Sequence, residues 1–371
     1  MFTGELAVKF IGAVQQIVAP TQGLMRLFPL REDGIFEAES VEYDIYQEAE
    51  AMSTPRKRGD SPNVKTSSLV QTVSETPPYI SESMRVNVRD LAARTIGTDK
   101  YSDGDTSKTE KLIRALARKF AEVQRTIDRQ IEWQAAEILQ RGVLNYTQFN
   151  ELVPQPLNLI NFLMNAAMFP TSAVTWDTAT GAEMRNDLLA LGDEIRLRGK
   201  KIPTDIIFGR AANERFFNVA ENLTLMDNRR TEIMMRAPEA LRADGFALQG
   251  EMVIGPYKFR IWLYEGWYQH PVTKTMTRYI DDESAVMIAD SGERARYHAG
   301  VDVIAPTDAE VMGMIPGFAG LDSIVQRQAI DFQPWAFTDK NNKTTQIGID
   351  SAPLLVPTNR GAHGCLDTQA T

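Results

Sequence analysis

Residues 107–142 read SKTEKLIRALARKFAEVQRTIDRQIEWQAAEILQRG. Within them Ile113, Leu116, Phe120, Val123, Ile127, Ile131, Ala135 and Ile138 recur at steps of three and four, which puts them in one stripe along a helix. Ser107 with Glu110 has the form of a capping box, in which the hydroxyl takes a free backbone N–H and the carboxylate reaches back. Gly142 follows at once, the residue that most easily adopts the left-handed conformation that stops a helix. The spacing therefore predicts a helix from Ser107 to Arg141, about 35 residues and roughly 50 Å long. That is longer than a compact domain needs. One apolar stripe is expected to be buried, and the remaining faces carry Arg, Lys, Glu and Asp. Such a helix is the backbone of something extended.

The 371 residues suffice for two or three domains with cores of their own. A 43% apolar and 24% charged composition is that of a folded chain. The net charge of −9 argues against a nucleic-acid binder with a broadly basic surface. Cys365, the only cysteine, lies in what reads as a polar tail, so neither a disulfide framework nor a thiolate metal cluster is available. His270, His298 and His363 are too far apart in sequence for a zinc site built on close histidine pairs. No run of about eighteen apolar residues predicts a membrane span. In the first twenty residues Glu5 and Lys9 contradict a secretory signal. There Leu6, Phe10, Val14 and Val18 predict a short amphipathic helix that packs on this subunit or a neighbour. A reducing cytoplasm is the expected place of synthesis.

Moving outward from the long helix, Val41, Tyr43 and Ile45 alternate with polar neighbours, the period of two that marks a strand. Met84, Val86 and Val88 do the same. Between them residues 49–78 are rich in Ser, Thr, Pro, Lys and Arg, with little to bury. The two strands and their polar tip read as a protruding two-stranded arm, too thin to be stable without another molecule to lean on. Beyond the helix, Leu157 to Met164 reads as a strand. Met184, Leu188, Leu191 and Ile195 define a second helix ended by Gly199. Ile206 to Phe208 is a buried strand, Ala211 to Val219 a further helix, and residues 222–249 a polar surface element. Tyr257, Phe259, Ile261 and Leu263 alternate as a strand, and Arg278–Ile280 and Ala285–Ile288 complete a small, mainly antiparallel sheet. Together these predict an α+β domain over 176–330. Thr345 to Pro357 is expected to return to the sheet beside the long helix.

Chemistry-bearing motifs are scarce. Phosphate loops, dinucleotide fingerprints, paired-histidine zinc motifs and nucleophile elbows are all missing from the sequence. Asp281, Asp282 and Glu283 supply the hard oxygens a cation prefers, but without the spacing of a known ligand loop. A solvated turn is the plainer reading. The basic residues Arg56, Lys57, Arg58 and Lys65 on the polar tip lack interleaved aromatics. They are expected to pair with carboxylates on a neighbouring subunit, as are Arg229 and Arg230, and with Asp227 beside them all are assigned to the subunit interface. Trp262, Trp267 and Tyr268 suit core or interface packing. No catalytic residue, cofactor or metal ligand is assigned.

Several stretches share their order and spacing with a known family. They are Leu24-Met25-Arg26-Leu27-Phe28, the loop residues Arg56 to Gly59, the helix end Gln140-Arg141-Gly142, and Met226 to Arg230. Near the C-terminus they include Asp331-Phe332-Gln333-Pro334-Trp335 and Gln346 to Leu355. In this the chain resembles the lambda-type phage major capsid protein E family, which has the Hong Kong 97-type capsid fold. The resemblance implies an N-terminal arm (1–38), an extended loop (39–90), a peripheral domain (91–175 with the returning strand 331–360), an axial domain (176–330) and a C-terminal tail (361–371). It implies a non-enzymatic subunit that forms hexamers and pentamers of an icosahedral shell around double-stranded DNA. Further implied partners are a separate scaffolding protein and a portal at one vertex, with or without a decoration protein, and no membrane. Assembly is expected in the host bacterial cytoplasm. Two alternatives remain open at this point: an encapsulin-like nanocompartment subunit, and a metal-dependent enzyme using Asp281, Asp282 and Glu283.

Overall fold

In the computed structural model, helix α1 (Lys108–Arg141) runs unbroken for 34 residues. Leu116, Phe120, Val123, Ile127, Ile131, Ala135 and Ile138 are all buried along it. Gly142 ends it at φ +66°, and its N–H donates to the Ile138 carbonyl at 2.9 Å. The structure describes residues 23–47, 69–86, 108–148, 155–222, 234–236, 242, 244–289, 291–306, 323–339 and 344–369. Ser107 and the predicted N-terminal helix lie outside them.

Among the described residues four strands precede α1: β1 (Leu30–Ile35), β2 (Val41–Gln47), β3 (Leu69–Glu75) and β4 (Ile80–Val86). After it come β5 (Val143–Gln148), β6 (Gln155–Asn161), helix α2 (Gly181–Gly199), β7 (Asp205–Phe208) and helix α3 (Arg210–Asn218). They are followed by β8 (Met234–Arg236), β9 (Phe246–Ile254), β10 (Tyr257–Tyr264), β11 (Trp267–Gln269), β12 (Met276–Arg278) and β13 (Ser284–Ile288). The chain continues through β14 (Arg294–His298), β15 (Val301–Pro306), β16 (Ser323–Gln328) and β17 (Gln333–Asp339). It closes with β18 (Thr344–Ser351), β19 (Pro353–Pro357) and β20 (His363–Asp367).

The arm differs from expectation in its pairing. β2 pairs antiparallel with β3, from Val41 opposite Glu75 to Gln47 opposite Leu69, so the tip spans 48–68. The strand that begins at Ile80 leaves the arm and pairs with β18, which lies against α1 as predicted for the returning segment. Thr76-Pro77-Pro78-Tyr79 separates the two strands. Prolines cannot donate to a ladder, so the pairing must end there.

A six-stranded sheet in the order β20-β13-β7-β10-β9-β8 forms the second body of the fold. Only the β7–β10 pair is parallel; the others are antiparallel. Both faces are covered, which is why β7 and β13 are buried along their whole length. Ile207, Tyr264, Val286 and Ile288 join the core around α1. Ile206, Phe208, Phe259, Ile261 and Met287 join a second core with Met184, Leu188, Leu191 and Ile195 of α2. In β10 the alternation of faces holds throughout: Tyr257, Phe259 and Ile261 face the core with α2, and Tyr264 faces the core around α1. A bulge lies in β9, where Gly250 and Leu248 oppose the consecutive Ile261 and Trp262.

The clearest correction concerns residues 361–371. The expected polar tail is β20, paired with β13 from Ser284 opposite Asp367 to Ile288 opposite His363. His363, Cys365 and Leu366 are buried, and the His363 Nε2 lies 3.2 Å from the Ile138 carbonyl. Burial lowers the pKa of His363 to about 3, so the ring is neutral. Small residues suit this strand because its neighbours come close: a Cβ on Gly364 would meet the Met168 carbonyl oxygen at 2.6 Å.

Gly199 has a role other than the left-handed stop expected of it. That conformation belongs to Lys200, at φ 55°. A Cβ on Gly199 would instead meet the Gly361 carbonyl oxygen at 2.2 Å. Gly199→Ala must therefore push α2 away from the turn leading into β20, at a cost of about 1–3 kcal/mol. A thermal melt of the purified variant should show a lower Tm, and an unchanged Tm would show that the two backbones separate freely.

Candidate functional site

The described elements of the arm present a charged face. Val41, Tyr43 and Ile45 point into the core around α1, so Glu42 and Asp44 point out. Glu32 and Asp33 on β1 and Glu37 in the following turn are also exposed. None of Glu32, Asp33, Glu37 or Glu42 has an ion-pair partner among the described residues, whereas Glu39 lies 3.6 Å from Arg327. A cleft of about 980 Å³ runs beside this face, between the arm and the end of α2, with Lys200 and Lys201 on its far side. The sequence-predicted contact residues Arg56, Lys57, Arg58, Lys65, Asp227, Arg229 and Arg230 lie outside the described residues.

What holds the base of the arm is a buried polar junction on α1. Leu24–Leu27 forms a single 3₁₀ turn whose first N–H groups have no helical partner. The Leu24 and Met25 N–H groups donate to the two oxygens of Glu132, each at 2.8 Å. At the other end the buried Arg294 donates from Nε to the Leu27 carbonyl at 3.3 Å and from Nη2 to the Ala289 carbonyl at 2.8 Å. The cation at the end of the turn complements the dipole of the peptide groups before it. Leu24 and Phe28 are fully buried beside it. Sequence reasoning missed Glu132, which sits off the apolar stripe in a helix full of surface charge. Its neighbours Gln134, Ala136 and Leu139 are buried too, so the second half of α1 is covered well beyond a single stripe.

The acidic run 281–283 is a docked turn and not a converging ligand set. Asp281 lies 3.2 Å from Arg141, while Asp282 is paired with Arg278 and Glu283 with Arg215. Three arginines from three different segments thus draw the carboxylates apart. Gln140 holds the backbone of the turn, accepting from the Asp281 N–H at 2.8 Å and donating to the Tyr279 carbonyl at 2.9 Å. Among the described residues no three His, Cys, Asp or Glu side chains are gathered to hold a metal ion. Trp262 does not cover the run, because its indole donates to Asp205 at 2.8 Å. Tyr268 stacks on Tyr279 at 5.0 Å, and Trp267 is exposed beneath the Arg278 guanidinium. No helix among the described residues is long and apolar enough to cross a membrane.

An arm with acidic residues unpaired among the described residues, fixed by a buried junction to a long helix between two cores, has the form of an assembly unit. Comparison with known proteins agrees. The putative capsid protein of a prophage of E. coli CFT073 is 13% identical and superposes with a TM-score of 0.63, over 97% of this chain and 98% of that one. A phage-related protein from Bordetella bronchiseptica RB50 is 9% identical, with a TM-score of 0.50 over 97% and 96%. At such identities the likeness establishes the fold, which is that of the Hong Kong 97-type capsid proteins. No curated protein matches in sequence. The family model of phage major capsid protein E, however, matches residues 7–363. The chain belongs to the phage major capsid protein E family and is a subunit of a phage capsid shell.

Proposed function

We propose that the chain assembles as hexamers and pentamers into an icosahedral shell around the double-stranded DNA of a tailed phage, with no catalytic step of its own. The observation that carries this reading is the exposed acidic face of the arm, at which Glu32, Asp33 and Glu42 have no ion-pair partner among the described residues. Arg56, Lys57, Arg58 and Lys65 of one subunit meet Glu32, Asp33 and Glu42 of the next. Asp227, Arg229 and Arg230 form a second charged contact. A head-to-tail contact of this kind closes into a ring where the rotation between neighbours divides a full turn. Residues 1–38 serve as N-terminal arm and the β2–β3 hairpin with its tip as extended loop; β4 joins 91–175 and 331–360 in the peripheral domain, and 176–330 forms the axial domain. Assembly takes place in the bacterial cytoplasm with a scaffolding protein and a portal, and DNA is held without sequence-specific contacts. The acidic balance supports this, because each neutralised phosphate would add salt-dependent adhesion.

Each exposed pair is worth only about 0–1 kcal/mol, but every subunit repeats it. Changing Arg56, Lys57 and Arg58 together to Glu should leave a folded subunit that no longer forms shells. Sedimentation and negative-stain microscopy across a salt series read the outcome. Particles formed as readily as by the parent at every salt concentration would remove this contact from the assembly.

A further inference from the structure

Glu132 is fully buried, and three donors converge on it from distant parts of the chain. Besides the Leu24 and Met25 amides, the Tyr264 hydroxyl on β10 lies 2.5 Å from Oε1. No cation is bonded to it among the described residues. The carboxyl is thus the common point at which α1, β10 and the Leu24–Leu27 turn are joined.

We propose that Glu132 is a proton-controlled clasp, which seats the N-terminal turn on α1 firmly when the carboxyl is protonated and loosely when it is ionised. The geometry accommodates the proton. A tyrosine hydroxyl both donates and accepts, so Tyr264 can turn to accept from a protonated Oε1, leaving the two amides their acceptors. The ionised form has no counter-charge bonded to it among the described residues, in a site closed to the surface. The charged and titratable groups around it are Tyr264 on β10, Tyr279 after β12, Asp244 before β9, and Arg26 on the turn itself. Arg26 is already paired with Asp244 at 3.0 Å. Asp128 and Arg129 lie one turn back on α1.

Burial raises the Glu132 pKa from 4.5 to about 7; Asp244 adds to the rise, and the three donors oppose it. A released turn would return the carboxyl to water and to its ordinary value. The seated state therefore binds the proton more tightly. Seating is strongest below the ordinary value and weakens as pH rises through the raised one. The clasp stands independently of how subunits meet in the shell.

Hydrogen exchange at the Leu24 and Met25 amides of the full chain, corrected for the intrinsic rate, tests this directly. From about pH 5 to about pH 8 their protection should fall on the order of 50-fold. Flat protection in the wild-type chain overturns the proposal. Glu132→Gln cannot ionise and should abolish the fall; if the full fall persists, another group is responsible and the assignment is wrong. Asp244→Asn leaves the three buried hydrogen bonds in place and removes a neighbouring negative charge. The fall should shrink in this variant, and a fall of equal or greater size also counts against the clasp.

Discussion

Ile127→Asp should abolish soluble expression of the subunit. Ile127 is fully buried near the middle of α1, in the core shared with Ile347, Ile349 and Leu354. Strands β4, β18, β19 and β20 are among those that pack on this helix. A carboxylate placed there would have neither water nor a cation, and the loss of the isoleucine packing adds to its cost. The two together come to at least about 4 kcal/mol, a large fraction of the roughly 5–15 kcal/mol that stabilises a native domain. Arg118→Ala, at an exposed position of the same helix, should express and melt like the parent. Soluble yield and a thermal melt of both variants make the comparison. Normal yield of Ile127→Asp would show that α1 tolerates water along its buried stripe.

The second large effect is expected from a chain shortened after Arg360. Such a chain keeps every described element except β20. It loses the ladder to β13 and the buried Ala362, His363, Cys365 and Leu366. Ser172 and Trp176 also lose their backbone bonds to the Asp367 and Thr368 carbonyls, at 2.8 and 3.0 Å. Both cores are opened at once, because Cys365 belongs to one and Leu366 to the other. The shortened subunit should be insoluble or, if recovered, should expose apolar surface and fail to form particles. Dye binding and size-exclusion chromatography check this. A soluble, cooperatively melting product would return residues 361–371 to the status of a tail.

The long helix, α2 and the strands around Tyr43 and Phe259 were legible because their apolar residues repeat with the period of the element. The fold family was legible because short stretches along the whole chain keep one order. What escaped was decided by partners rather than by period. Val41–Ile45 and Met84–Val86 both read as strands, but nothing in either names its neighbour, and the strand at Leu69–Glu75 was hidden in a segment judged polar as a whole. β20 was missed because Ala362, His363, Gly364 and Cys365 are small or polar; they are buried where backbones approach closely, not where bulk is needed. Glu132 was missed for the opposite reason, since a glutamate on a charged helix has the ordinary look of a solvated residue. The acidic run, by contrast, was read correctly as a turn; Arg278 lies four residues from Asp282, while Arg141 and Arg215 are far from the run in sequence.

The place of β20 at the edge of the six-stranded sheet also sets a time order. Its neighbour β13 leaves the ribosome first, and at about 5–20 residues per second the roughly 75 residues between Ile288 and His363 take on the order of 4–15 s to make. Throughout that interval one side of β13 is an unpaired row of amides and carbonyls, a ready template for the wrong strand. Inside a cell filling with copies of one chain, the wrong strand is most often the same strand of another copy. The growing subunit is thus most exposed to mispairing just before it becomes competent to build, and the rate of translation over residues 289–362 is a variable on which particle yield should depend.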